Sequence, residues 1–189
     1  MNERIPLPMP FGWFRVTESK DLATGEVKTV KYLGGEFVVF RAEDGQVSVL
    51  DPYCPHLGAH LGVGGTVVGN AIRCPFHHWK FDGGGQCVEV PYAKRIPARA
   101  QVKSYPTCEK NGIVFFWHHP NGDAPKWDVP EVPDWCAEGW MEPIYHTARV
   151  RSHPQEMAEN VVDSAHFKFV HGTPDIPEIP YLAQGVRNW

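Results

Sequence analysis

Two short clusters of cysteine and histidine stand out in this 189-residue chain. Cys54-Pro55-His56 is a C-x-H pair, and Cys74-Pro75-Phe76-His77 is a C-x-x-H pair that begins after a gap of 17 residues. Two soft thiolates with two imidazoles suit either a tetrahedral zinc ion or a [2Fe–2S] cluster of mixed ligation. In the second case the cysteines hold one iron and the histidines the other, which raises the potential above that of an all-cysteine cluster. Proline directly after each cysteine stiffens its loop and removes a backbone donor. Gly58, Gly62, Gly64 and Gly65 are expected to let the backbone approach the bound group closely.

A second constellation lies downstream, in Glu159-Asn160-Val-Val-Asp163-Ser-Ala-His166-Phe-Lys-Phe-Val-His171. Asn160, Asp163 and His166 are three apart and share one face of a helix. His171 comes five residues after His166, where the helix is expected to end, so its ring can return to the same point. Two imidazoles and a carboxylate with open positions make the facial triad of Fe(II) oxygenases, with room for O₂ and substrate. By itself D-x-x-H-x-x-x-x-H is a weak signal, because a helix with two surface histidines fits it equally well.

Composition narrows the classes. The chain is 42% apolar, 12% aromatic and 21% charged, with 18 Gly and 18 Pro, which suits a soluble globular protein and not a disordered one. A net charge of −4 gives no support to polyanion binding, so no nucleic-acid partner is expected. Charge is unevenly spread. Residues 73–103 hold six basic against two acidic residues, and residues 121–180 hold four against eleven. No stretch approaches the roughly 18 apolar residues of a membrane span, and the first residues lack a signal-peptide core. The expected compartment is the cytoplasm. Five cysteines without a secretion signal argue against a disulfide framework. Cys87, Cys108 and Cys136 have no histidine partner and read as small buried hydrophobes.

The elements that must carry these residues are mostly strands. From Gly12 to His118, runs such as Glu36–Arg41, Gln46–Leu50 and Gly112–Trp117 are rich in Val, Ile and Phe and broken by turn signals. Asp44-Gly45 between two alternating runs reads as a hairpin. Both Cys/His clusters follow short apolar runs and so belong at loop tips. Residues 120–143 carry five prolines and three tryptophans and read as a packed connector, with Trp127, Trp135 and Trp140 buried. Then Ile144–Arg151 reads as a strand, and Pro154 to about Val170 as a helix. Pro154 suits its first position, Ser152 or His153 its cap, and Met157, Val161 and Ala165 form an apolar stripe. The stretch through Pro174, Pro177 and Pro180 reads as extended.

Cys54-Pro-His56 followed by Cys74-Pro-Phe-His77-His-Trp79-Lys-Phe-Asp82-Gly83 resembles the Rieske domain of non-haem iron oxygenases, which carry C-x-H and C-P-[YF]-H-x-W-x-F-[DN]-x-x-G. The resemblance covers roughly residues 11–120. His78 departs from it, standing where many members have Gly. Respiratory Rieske proteins carry extra loop cysteines, and Gly58, Ala59 and His78 occupy this chain's loops instead. The resemblance implies that Cys54, His56, Cys74 and His77 bind a [2Fe–2S] cluster. The downstream segment resembles the N-x-x-D-x-x-H-x-x-x-x-H motif that begins the catalytic domain of these oxygenases. By that resemblance His166 and His171 are ligands of a mononuclear Fe(II), Asp163 links that iron site to a Rieske histidine of the neighbouring subunit, and Glu159 and Asn160 support the ligands.

The implied fold is mainly β: an antiparallel β-sandwich with an inserted cluster-binding subdomain over residues 1–143. The start of an α+β helix-grip catalytic domain would follow over 144–189. The family's third iron ligand, an Asp or Glu, comes far downstream, and Asp175 and Glu178 match no family position. Only 46 residues follow Pro143, too few for a substrate pocket, so the chain reads as the N-terminal part of an oxygenase subunit. Expected partners are a reductase or ferredoxin donor, O₂ and a hydrophobic substrate, with a homotrimer for the full-length subunit. Ile96-Pro97-Ala98, Ser104-Tyr-Pro106 and Glu109-Lys-Asn111-Gly112 most resemble the steroid-acting branch, which holds 3-ketosteroid 9-alpha-hydroxylases and cholesterol 7-desaturases. A Rieske-type ferredoxin without chemistry of its own is the alternative.

Overall fold

In this computed structural model, which describes residues 9–141, 143–148 and 150–177, the run Phe37-Val-Val-Phe40 occupies the centre of the β architecture. It lies in β3 (Gly35–Arg41). Phe37 and Val39 enter one apolar core, and Val38 and Phe40 enter another. A strand buried on both faces loses the usual alternation of polar and apolar residues, hence the unbroken run.

Three antiparallel sheets are arranged around it. The first is β1 (Gly12–Glu18), β11 (Ile113–His118) and β10 (Thr107–Lys110), in the order β1-β11-β10. The second, in the order β2-β3-β4-β9, adds β2 (Val27–Tyr32), β4 (Val47–Leu50) and β9 (Ser104–Tyr105) to β3. Val16, Leu22, Val114 and Phe116 pack on Phe37, Val39 and Val49 between these two sheets, which makes the sandwich. The third sheet is β5 (Thr66–Val68), β6 (Ala71–Arg73), β7 (Lys80–Asp82) and β8 (Cys87–Glu89), in sequence order. Its Ile72 and Phe81 pack with Val38, Phe40, Leu50 and Leu61 in the second core. The Cys74–Trp79 loop joins β6 to β7 of this sheet, and the Cys54–Ala59 loop lies between β4 and β5.

The Asp44-Gly45 hairpin forms as expected between β3 and β4, with Gly45 at φ 89°. Beside it Arg41 ties four segments together. Its Nε donates to Leu22 O at 2.7 Å, Nη1 to Gly45 O at 3.0 Å and Nη2 to Ser19 O at 3.1 Å. The same two terminal nitrogens grip Glu109 bidentately, both at 2.9 Å. These bonds hold the Glu109 carboxyl below its ordinary pKa, against an opposing effect of burial. Lysine cannot reproduce the planar fork. Arg41→Lys is expected to lower stability by about 2 kcal/mol in a urea titration at pH 7. A carboxyl with a depressed folded pKa stabilises above its unfolded pKa, and that contribution is lost as pH falls through the folded value. The cost of Glu109→Gln should therefore shrink below roughly pH 4; a cost independent of pH would show that the ion pair contributes nothing.

The connector is strapped to the sandwich. Trp13 Nε1 donates to Trp127 O at 2.7 Å, and Trp117 meets Trp127 edge-on with centroids 4.7 Å apart. Asn111 donates to Pro130 O and accepts from Val132 N–H. Trp135 is half-buried, with its ring where a Cβ on Gly112 would sit. Trp140, expected to be buried, is 66% exposed. It closes a tight turn through its N–H to Ala137 O, and the turn holds its ring in solvent.

Phe11–Pro143 forms one compact unit, and the described residues from Ile144 onward belong to another. The strand expected over Ile144–Arg151 is not formed among the described residues; an apolar run becomes a strand only where a ladder partner takes its backbone groups. The single helix expected from Pro154 to Val170 is two, α1 (Pro154–Val162) and α2 (Ala165–Phe169). Pro154 opens α1 as expected, and His153 Nδ1 caps it by accepting from Gln155 N–H at 3.1 Å. Asp163 ends α1 by leaving helical geometry at ψ 89°, and its Oδ1 accepts from Ala165 N–H. A short polar side chain that bonds the backbone two residues on competes with the helix ladder. Met157 and Val161 of the apolar stripe are exposed. Glu178 and Pro180 lie outside the described residues. Among the described residues no helix is long and apolar enough to cross a membrane.

Candidate metal centre

The two Cys/His loops are built on the same backbone plan. In the first, Cys54 N–H donates to Ala59 O at 2.9 Å and Gly58 N–H donates to Cys54 O at 2.9 Å. In the second, Cys74 N–H donates to Trp79 O at 2.8 Å and His78 N–H donates to Cys74 O at 3.2 Å. Each loop caps a pair of antiparallel partners, Tyr53 with His60 in one and Arg73 with Lys80 in the other. Proline after each cysteine suits this plan, because the amide it deletes is not called on.

The scheme explains the departure at His78. The fifth loop residue must turn left-handed: Gly58 has φ 74° and His78 has φ 60°. Glycine adopts that conformation freely and a side chain pays about 1–2 kcal/mol for it. After allowance for the added freedom of glycine in the unfolded chain, His78→Gly is expected to stabilise the domain by about 0.5–1 kcal/mol. Gly58→Ala should destabilise it by a similar amount, since a Cβ there meets nothing within 4 Å. Denaturant midpoints moving in the same direction for both variants would contradict the shared loop geometry. Gly62 and Gly65 serve differently from expectation. A Cβ on Gly65 would lie 1.9 Å from Leu61 O, and one on Gly62 would lie 2.2 Å from Thr29 Oγ1, so both are small for packing inside the domain.

The side chains assemble in pairs. Cys54 and Cys74 are 3% and 1% exposed, and their thiols are close enough to act on one another electrostatically. Burial pushes the Cys54 thiol up to about 11, with the backbone N–H groups of His56 and Leu57 opposing it and the Cys74 thiol adding to it. The rings of His56 and His77 stand 4.6 Å apart at 72°. His56 Nδ1 is buried and has no hydrogen-bond partner. Trp79 stacks on His56 at 4.6 Å and 8°, and its Nε1 donates to Tyr92 Oη at 2.7 Å. Tyr92 carries no spacing signal in the sequence, because it reaches the site only through a contact made across the β7–β8 hairpin. Among the described residues no three His, Cys, Asp or Glu side chains form a group able to hold one ion; thiol is paired with thiol and imidazole with imidazole.

The other cysteines differ from expectation in part. Cys87 is buried, with its Sγ on Glu89 O at 3.5 Å, whereas Cys108 is half-buried and Cys136 is exposed. Cys136 lies at φ 57° in the connector's turns, which face it to solvent.

In the second unit His166 and His171 come together with rings 5.1 Å apart at 70°. His166 Nδ1 bonds the backbone carbonyl of Asp163. A carbonyl only accepts, so Nδ1 carries the proton and Nε2 keeps the lone pair that a metal needs. Glu159 accepts from Gln155 Nε2 at 2.9 Å.

Residues 12–106 match the family model of the Rieske [2Fe-2S] domain, and residues 116–179 match that of the 3-ketosteroid 9alpha-hydroxylase C-terminal domain. The chain belongs to the Rieske [2Fe-2S] domain family. Cholesterol 7-desaturase nvd of Xenopus laevis is 44% identical over 180 residues, which cover 93% of this chain and 39% of that protein. A probable 3-ketosteroid-9-alpha-monooxygenase, oxygenase component, of Rhodococcus rhodochrous is 43% identical over 163 residues, covering 85% and 41%. The crystal structure of dicamba monooxygenase with non-heme iron and dicamba superposes with a TM-score of 0.57 at 30% identity, over 64% of this chain and 36% of that one. The chain spans about two fifths of the length of the curated relatives it matches.

Proposed function

We propose that this chain is the electron-receiving portion of a Rieske non-haem iron oxygenase that hydroxylates or desaturates a hydrophobic, steroid-like substrate. The observation that carries the reading is the pairing at the loop tips: two buried thiols side by side, and two imidazoles beside an orphaned His56 Nδ1. A single zinc ion asks four donors to converge on one point, whereas a two-iron cluster asks for two donors at each end. Cys54 and Cys74 would hold one end and His56 and His77 the other. When bound, the cluster supplies one-electron transfer, and a mononuclear Fe(II) at His166 and His171 supplies O₂ activation.

The chain's own residues prepare both places. Burial of Cys54 and Cys74 excludes water from the thiolate end, and the His56 and Leu57 amides donate toward the Cys54 sulfur. Trp79 fixes the plane of the His56 ring by stacking. In the second unit the Asp163 carbonyl fixes the His166 tautomer, leaving Nε2 free. The names of the relatives, a cholesterol desaturase and a ketosteroid monooxygenase, support a steroid-like substrate.

The absorption spectrum of the purified protein tests this reading. A red-brown chromophore that bleaches with dithionite supports it, and a colourless zinc protein overturns it. Fe(II) titration of a subunit extended to its relatives' length separates an oxygenase from a ferredoxin: tight uptake at a second site, lost in His166→Ala, marks the oxygenase.

A further inference from the structure

Between Val90 and Cys108 the chain contains no acidic residue, and it contains Lys94, Arg95, Arg99 and Lys103. The first three are exposed, and their side chains enter no hydrogen bond or ion pair among the described residues. Their loop is nonetheless built. Val90 and Ala100 at its ends are buried, Ala93 N–H bonds Val90 O, Ala100 N–H bonds Pro97 O, and Cys87 N–H closes the base on Ala100 O. Unpaired cations on an anchored loop form a lasting positive patch rather than a solvated tail.

The same loop touches the metal centre. Tyr92, two residues before Lys94, is 63% exposed and accepts from Trp79 Nε1, whose ring stacks on His56. Neighbouring Cα atoms along a chain are at most about 3.8 Å apart, so Lys94 and Arg95 lie within about 12 Å of Tyr92. Exposed Leu57 and Phe76 flank the histidines. Apolar contacts with a charged edge suit a weak, transient electron-transfer encounter. A permanent subunit contact would instead be depleted of unpaired lysine at its centre.

We propose that the loop Tyr92–Arg99 is the landing surface for an acidic one-electron carrier protein of the iron–sulfur or flavin class, with Tyr92 and Trp79 as the connection inward to His56. The proposal rests on the cluster reading above. One electron would leave the carrier and be received at the iron pair that Cys54, His56, Cys74 and His77 would hold. No bond forms or breaks, and Tyr92 and Trp79 conduct without being oxidised or reduced themselves.

The test uses the cluster-loaded 189-residue chain and, as probe, a reduced plant-type [2Fe–2S] ferredoxin with an acidic surface. Surface plasmon resonance reads its binding, and stopped-flow absorbance reads cluster reduction. At low ionic strength the triple variant Lys94→Glu/Arg95→Glu/Arg99→Glu should weaken binding and slow reduction by about tenfold or more. Cluster reduction by cationic reduced methyl viologen should quicken. Tyr92→Phe should slow cluster reduction severalfold at saturating ferredoxin, where the rate no longer depends on how tightly the carrier binds. Unchanged ferredoxin binding in the triple variant overturns the proposal. So does an altered oligomeric state by light scattering with binding intact, which would assign the loop to a second copy of the chain. A colourless wild-type protein would overturn the cluster reading alone, because the binding arm still reports on the docking surface.

Discussion

Cys54→Ser and Cys74→Ser should each leave the protein without its red-brown chromophore and with thermal unfolding lowered by roughly 10 °C or more, the scale of losing a few kcal/mol from a domain of this size. The effect is large because the two thiols serve the site and the core at once. Both belong to the apolar cluster formed by Val38, Phe40, Leu61, Ile72 and Phe81. A serine hydroxyl there is a poor ligand and a buried polar group without an assured partner. Lost volume contributes little, since serine is nearly isosteric with cysteine; the loss comes from ligation and polarity. Cys87→Ser is the control: it changes the same atom in the same core and should keep the chromophore. Absorbance and calorimetry on the three variants check this, and a native spectrum in either of the first two contradicts the ligand assignment.

In a full-length subunit, Asp163→Asn should leave the cluster spectrum, the stability and a trimeric state unchanged while slowing single-turnover oxidation of the cluster by O₂ and substrate by about 100-fold. Asn keeps the Oδ1 that accepts from Ala165 N–H, and the backbone carbonyl that receives His166 Nδ1–H is untouched. Stability should therefore move by less than about 0.5 kcal/mol. What changes is the charge, and with it the capacity to accept an imidazole N–H on either side. Asp163 is exposed in this chain, so its carboxylate is open to a group brought by a neighbouring subunit. Rapid-mixing absorbance with light scattering on the same sample decides the matter. Wild-type turnover would remove Asp163 from the link between metal sites, and a monomer would remove the shared-site arrangement.

Features governed by local chemistry were legible in the residues. The short apolar runs before Cys54 and Cys74 placed both Cys/His clusters on loop tips, and the Asp44-Gly45 turn and the apolar run through Phe37–Phe40 followed from propensity and pattern. Features decided by what an element packs against were not. Ile144–Arg151 has strand composition and forms no strand among the described residues, because composition does not provide a ladder partner. Asp163 reads as a mid-helix residue and instead breaks the helix, since its side chain bonds the Ala165 amide. Gly62 and Gly65 read as making room for a bound group and instead make room for Thr29 and the Leu61 carbonyl. The near-identity of the two loops was hidden, because the histidine stands two residues after Cys54 and three after Cys74 while the backbone bonds keep one register.

Ligation of a two-iron cluster by two cysteines and two histidines of one chain is tested most directly by electron–nuclear double resonance. The dithionite-reduced protein is measured with and without ¹⁵N-histidine. Two strong histidine-nitrogen couplings that change with the isotope are expected, with one lost in His56→Cys and one in His77→Cys. A reduced protein with no histidine-nitrogen coupling, or one holding a single zinc and showing no resonance, would contradict it.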